Sequence, residues 1–298
     1  MPMPQWLADG LARLLQKAPG PSRLPAEVAF AEIPAVTEEI TVPTRHGELC
    51  ATSYSPPGGA AGRGVYVNFH GGGFVMRHPE QDDPLCRFIA HHAQVTVLNV
   101  DYIPSPQSRF PGPVEQAYDV VAWAASAQRP WEGARVAVGG QSAGGALAAG
   151  AARLALERGA PHIDVQVLMY PALDLTIPSA RKWSPGQEKF LVRMGPVFNK
   201  AYCPNVALRH DRLASPAGAS DSEDLTGIAP ALIVSAEKDI LRDEAARYAA
   251  RLRDAGALID HVDLAGVGHA FNMLGAQREV VLPVYQRIAE SVRRAQQV

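Results

Sequence analysis

The chain has 298 residues, 47% of them hydrophobic, enough for one large domain or two small ones, and a globular protein of this size buries roughly three quarters of the surface exposed by its unfolded chain. Lys and Arg number 28 against 30 Asp and Glu, a net charge of −2 with no basic stretch along the sequence, which argues against nucleic acid and against stable association with an anionic membrane. Cys50, Cys86 and Cys203 are odd in number, far apart and without a CxxC pair, so neither a disulfide framework nor a zinc site is predicted, and a reducing cytoplasm fits best.

In chain order, the first segment, MPMPQWLADGLARLLQKAPGP, has Asp9, Arg13 and Lys17 among its apolar residues and does not read as a secretory signal. Trp6, Leu7, Leu11, Leu14 and Leu15 instead have helical spacing, and Pro19, Gly20 and Pro21 end that helix. ITVPTRHGELCATSYSP, residues 40–56, reads as two strands around a turn at His46-Gly47. From residue 65 the pattern changes to short apolar runs followed by loops and helical stretches: GVYVNF, QVTVLNVDY, RVAVGG, VQVLMYP and PALIVSAEKD. Continuous Val, Ile and Leu runs suit strands covered on both faces, and their alternation with helices requires parallel crossovers. The predicted fold class is therefore α/β, a mostly parallel central sheet with helices on both faces, formed by a single domain over 1–298. The alanine-rich ALAAGAARLAL at 146–156 is too short to span a bilayer. Residues 176–215 interrupt the strand and helix rhythm, and their helical material is a candidate cap.

Three local contexts carry chemistry. RVAVGGQSAGGALAAG places Ser142 between Gly140 and Gly144 where a strand passes into a helix, the arrangement of a nucleophile on a sharp turn with its hydroxyl near free helix N–H groups. A serine hydroxyl needs a base to take its proton, and the base needs a carboxylate to orient it. Downstream, PALIVSAEKD ends on Asp239 in a loop before a helix, and LAGVGHAF carries His269 in a glycine-flanked loop. The order Ser, Asp, His is that of an α/β-hydrolase. Asp243, one helical turn on, competes with Asp239 for the carboxylate role; the other histidines lie outside any such context. The glycines of VNFHGGGF, residues 67–74, remain. Backbone N–H groups can face a developing oxyanion only where no side chain intervenes, so this loop and the N–H of Ala143 together predict an oxyanion hole.

These segments resemble the hormone-sensitive-lipase-like family of α/β-hydrolases, a group of bacterial esterases with mammalian relatives. The resemblance rests on HGGGF at 70–74, DYIPSPQSRFP at 101–111, GQSAGG at 140–145, YPALD at 170–174, SAEKDILRDE at 235–244 and GHAF at 268–271. It implies an α/β-hydrolase fold with a helical cap, formed by about residues 1–40 together with 176–215, and hydrolysis of short- to medium-chain acyl esters without metal or organic cofactor. It makes Ser142 the nucleophile, His269 the general base and acid, Asp239 its orienting carboxylate, and Gly72, Gly73 and Ala143 the oxyanion donors. Phe74, Trp183, Phe190, Met194, Phe198 and Tyr202 are expected at the substrate pocket. The partner is then a small-molecule ester, and a homo-oligomer is compatible with everything above. The same triad serves amides, formamides and lactones, and some plant relatives of this fold are non-catalytic small-molecule receptors. Two positions depart from the family pattern: Gln141 stands where an acidic residue usually precedes the nucleophile, and Ile103 and Gln107 replace charged residues after the second strand, which points to neutral contacts in place of ions.

Overall fold

The computed structural model describes residues 3–18, 24–182 and 189–297. Its centre is an eight-stranded sheet. In chain order the strands are β1 (Val36–Thr44), β2 (Gly47–Ser55), β3 (Val65–Phe69), β4 (Thr96–Asp101), β5 (Val136–Gln141), β6 (Val165–Met169), β7 (Ala231–Ala236) and β8 (Leu258–Leu264), and their order across the sheet is β1-β2-β4-β3-β5-β6-β7-β8. β2 is antiparallel to both of its neighbours, β1 and β4, and the pairs from β4 and β3 through to β8 are parallel. The expected hairpin is present, with Thr44 opposite Gly47 at its turn. Its first strand begins at Val36, four residues before the apolar pattern suggested.

Every residue of β3, β5, β6 and β7 is buried, as the predominance of apolar residues without alternation requires of strands covered on both faces. β8 has no fully buried residue. It is an edge strand paired only with β7, and its mixed sequence LIDHVDL carries no continuous apolar run, which is why it escapes a reading based on such runs.

One face of the sheet is covered by α3 (Gly112–Ala124), α4 (Ala143–Arg158) and α6 (Arg242–Asp254), with Val114, Val120, Leu147, Ala151, Tyr248 and Leu252 in a common core. The other is covered by α2 (Asp83–Ala93) and α7 (Arg278–Ala295) through Phe88, Ile89, Val284, Tyr285 and Ile288. Alanines and glycines dominate α4 and are buried almost throughout, so this helix lies close against the sheet at the point where the proposed nucleophile emerges.

Two further helices lie beyond the carboxyl ends of the strands: α1 (Gln5–Leu15) and α5 (Lys189–Tyr202). They meet through Ala12 and Ala201, beside Val75 and Phe198, and Gln5 Nε2 donates to the Lys200 carbonyl at 3.1 Å. The cap range expected from the resemblance is too wide at its N-terminal part. Val28, Phe30 and Ile33 pack into the core under α2 and α7, held there by Arg278, which donates to the Glu27 carbonyl and to Glu32, and residues 36–40 belong to β1. At the other end, Leu213 and Ala214 join the main core. Among the described residues no helix is long and apolar enough to cross a membrane.

Candidate active site

In a parallel sheet all loops after the strands emerge at one edge, so residues distant in sequence converge there. Ser142 directly follows β5, the glycine loop follows β3, Asp239 follows β7 and His269 follows β8. Ser142 has φ 54° and ψ −115°, a strained conformation for a residue with a side chain. The turn that imposes it is held by neighbouring backbone: Ser142 N–H donates to the Met169 carbonyl at 2.9 Å, and its own carbonyl accepts from Ala172 N–H at 3.1 Å. The turn is also packed so closely that a Cβ on Gly144 would lie 1.8 Å from the Phe69 carbonyl oxygen. Glycine at that position is therefore a requirement of the close approach of strand and helix.

The structure brings Ser142, His269 and Asp239 into one hydrogen-bonded line. His269 Nε2 is 3.0 Å from Ser142 Oγ, and Nδ1 is 2.7 Å from Asp239 Oδ2. Asp239 is 1% exposed, and its other oxygen accepts from Leu241 N–H at 2.9 Å, so the carboxylate is fixed before it meets the ring. Tyr170 supports the imidazole edge-on, with centroids 4.7 Å apart. Asp243, the competing acid, is exposed on the first turn of α6; the carboxylate facing His269 is that of Asp239.

Gly72 and Gly73 both have positive φ, 126° and 62°, as the tight loop between β3 and α2 needs. Their N–H groups donate to no described acceptor, whereas the Gly72 carbonyl accepts from Val75 and Met76 at 3.0 and 2.9 Å. The loop is anchored from behind by His70, buried and stacked on Tyr102 at 4.4 Å, whose Nδ1–H donates to the Gly71 carbonyl at 2.7 Å. Burial lowers the His70 pKa to about 4, so the ring stays neutral and keeps this donor role at ordinary pH. Ala143 begins α4, where the first N–H groups have no partner within the helix.

Ser142, His269 and the glycine loop line a cavity of about 560 Å³. Of the residues expected around it, Phe74, Phe190 and Phe198 are at its wall. Met194 and Tyr202 are not: Met194 packs beside Ala201 and Phe198, and Tyr202 stacks on Phe74 at 3.9 Å with the rings 4° from parallel, so both support the wall from outside. A helix turns only one side to a cavity, and helical spacing alone does not say which. Trp183 lies outside the described residues. The lining also includes Met76, Leu175, Ile240, Leu241, Met273 and Leu274, which the sequence reading missed. Ile240-Leu241 follow the acid directly and Met273-Leu274 close the histidine loop; apolar pairs in loops, where polar residues are the norm, were the available signal.

Beneath Ser142 lies a buried polar cluster. Gln141 Oε1 accepts from Asn272 Nδ2 at 2.8 Å and faces the Tyr170 hydroxyl; Asn272 also donates to Tyr285 Oη at 3.0 Å. Through its side-chain oxygen, the neutral residue expected to replace an acid here thus binds neutral donors. An acid is nevertheless close: Asp82, 0% exposed, accepts from Asn68 Nδ2 at 2.8 Å, and burial pushes its carboxyl up to about 7 against the opposing hydrogen bonds. Gln107 likewise has a neutral partner, Gln16 of the N-terminal segment, at 2.8 Å, and Ile103 N–H donates to Gln116 Oε1 at 3.0 Å.

A second buried cluster ties the insertion to α6. Glu244 accepts from Leu173 N–H at 2.7 Å and pairs with Lys182 Nζ, while Lys182 also donates to the Asp174 carbonyl at 2.8 Å. Burial raises the Glu244 pKa, with Lys182 opposing that shift. Among the described residues no group of three or more His, Cys, Asp or Glu is placed to hold a metal ion.

The family profile for the alpha/beta hydrolase fold matches residues 66–273. Among curated proteins the chain is 36% identical over 243 residues to the carboxylic ester hydrolase LipN of Mycobacterium tuberculosis, an alignment covering 78% of this chain and 63% of that protein. It is 32% identical over 256 residues to an ethyl acetate hydrolase of Pseudomonas putida, covering 83% and 79%. Among solved structures, an esterase of Pyrobaculum calidifontis superposes with a TM-score of 0.81 at 32% identity, covering 95% of this chain and 97% of that one.

Proposed function

Because the chain belongs to the α/β-hydrolase family, within its hormone-sensitive-lipase-like group, we propose that it is a serine carboxylesterase acting on short- to medium-chain acyl esters. The observation that carries the proposal is His269 lying between Ser142 Oγ and Asp239 at the wall of an apolar cavity; the similarity to carboxylic ester hydrolases supports it.

Ser142 Oγ attacks the acyl carbonyl as its proton passes to His269 Nε2. Asp239 accepts the Nδ1–H, holding the tautomer and stabilising the imidazolium that forms. The carbonyl oxygen becomes an oxyanion, and the N–H groups of Gly72, Gly73 and Ala143 receive it; such fixed donors cost no reorganisation as charge develops. The alcohol leaves with the proton from His269. Water, deprotonated by the same imidazole, then attacks the acyl-enzyme and releases the acid and Ser142. No charged group is required in the acyl site, in keeping with its wall of Leu, Ile, Met and Phe. Three free cysteines are in keeping with a reducing compartment, and we place the enzyme in the cytoplasm on that ground.

Ser142→Ala should lower hydrolysis of p-nitrophenyl butyrate by roughly 10⁴-fold or more and abolish labelling by an organophosphonate. Substantial residual turnover in a folded variant would sink the assignment.

A further inference from the structure

No run of basic residues marks the linear sequence, yet α1 and α5, which pack against each other, each carry basic residues on one side. Trp6, Arg13, Leu14 and Lys17 recur at spacings that put them on one side of α1 and its C-terminal turn, opposite the buried Ala8 and Ala12. Trp6 is 74% exposed and Leu14 65%. On α5, which runs antiparallel beside it, Lys189, Arg193 and Lys200 recur on one side, and Phe190 next to them is 53% exposed. None of these five cations forms an ion pair with a described carboxylate, and Asp9, the acid of α1, is turned to Arg109 at 2.8 Å. In a chain of net charge −2, the solvent sides of these two helices are basic and carry an exposed tryptophan, leucine and phenylalanine.

We propose that the solvent-facing sides of α1 and α5 form a docking surface for an anionic lipid bilayer. An amphipathic surface of Lys and Arg with Trp, Phe and Leu suits the headgroup boundary, where the apolar side chains enter and the cations meet lipid phosphates. A second copy of the chain is a poor occupant, since a symmetric contact would set Arg13, Lys17 and Arg193 against their own counterparts. The location adds a consequence: Lys189 and Phe190 also line the cavity, so the docked face adjoins its rim, and an apolar molecule leaving the bilayer meets the cavity directly. Docking is independent of the esterase reading, and vesicle binding is measured without substrate.

The test is flotation of the full chain with vesicles of phosphatidylcholine alone and with a quarter of phosphatidylglycerol, at low and high salt. Binding should require the anionic lipid and weaken with salt. The triple substitution R13Q/K17Q/R193Q should weaken it about a hundredfold, at about fivefold per cation near the surface. W6S/L14S should weaken it at least about tenfold. Both variants should retain the circular dichroism spectrum and the rate on a water-soluble p-nitrophenyl ester, because none of the five residues lines the cavity. Equal binding to the two vesicle types, binding to neither, or a dimer in light scattering that the triple substitution dissociates without any vesicle binding would each overturn the proposal.

Discussion

Around Ser142 nearly every backbone group is held, by the Met169 carbonyl, by Ala172 N–H and by the close approach of Gly144 to Phe69. Helices α1 and α5 meet in a small apolar cluster that includes Ala12 and Ala201 and leave Trp6, Leu14 and Phe190 in solvent. The floor of the cavity is thus set by hydrogen bonds and steric exclusion that admit few residues, and the roof by apolar contacts that admit many. Catalytic geometry, which tolerates little displacement, belongs on the floor; the roof can vary to suit the ester.

Four substitutions test that division, from the largest expected effect to the smallest. Asp239→Asn should lower kcat about 10⁴-fold with little change in the unfolding midpoint, because it leaves the shape of the floor and spoils the tautomer of His269; a loss below tenfold would show that another acid orients the ring. Glu244→Gln removes the buried charge that pairs with the half-buried Lys182 at the seam of floor and roof, and should cost about 3 kcal/mol in urea unfolding. If the seam matters to the cavity, KM should rise as well. Gly73→Ala should reduce kcat about 10²–10³-fold, since the new Cβ would fall 2.5 Å from Phe198 Cδ2 at positive φ. Adding Phe198→Ala should recover only the steric share, and full recovery would mean that Gly73 serves the roof rather than the oxyanion.

Asp82→Asn gives the smallest effect and one that depends on pH. Its carboxyl is raised in the folded state, so the folded protein holds a proton that the unfolded chain gives up; stability falls as pH rises from about 4 to about 7. The asparagine lacks this loss. The variant should therefore gain about 2–3 kcal/mol relative to the wild type between pH 5 and pH 8, read from urea unfolding at both values. Parallel pH profiles of the two proteins would contradict the raised carboxyl.

Much of the floor was legible beforehand because its constraints are local. Short, largely apolar runs identified β3, β5, β6 and β7, and only glycine fits at 140 and 144, two residues to either side of Ser142, so the motif is written in nearby residues. The three contexts that singled out Ser142, Asp239 and His269 lie at strand ends, and a parallel sheet gathers those ends at one edge. β8 was not legible, since an edge strand needs no continuous apolar run. Nor was the division between Phe190 and Phe198, which line the cavity, and Met194 and Tyr202, which brace it, because one helix offers all four at similar spacing.

The amino-acid sequence by itself determined the alternation of strand and helix, the sharp turn at Ser142 and the glycine loop, since each depends on backbone sterics and burial within a few residues. Tertiary structure alone decided which wall residues face the cavity, that the buried acid near Gln141 is Asp82, and that α1 and α5, from distant parts of the chain, pack against each other. Those features depend on distances between segments far apart in the chain, and such distances exist only once the sheet has brought the segments together.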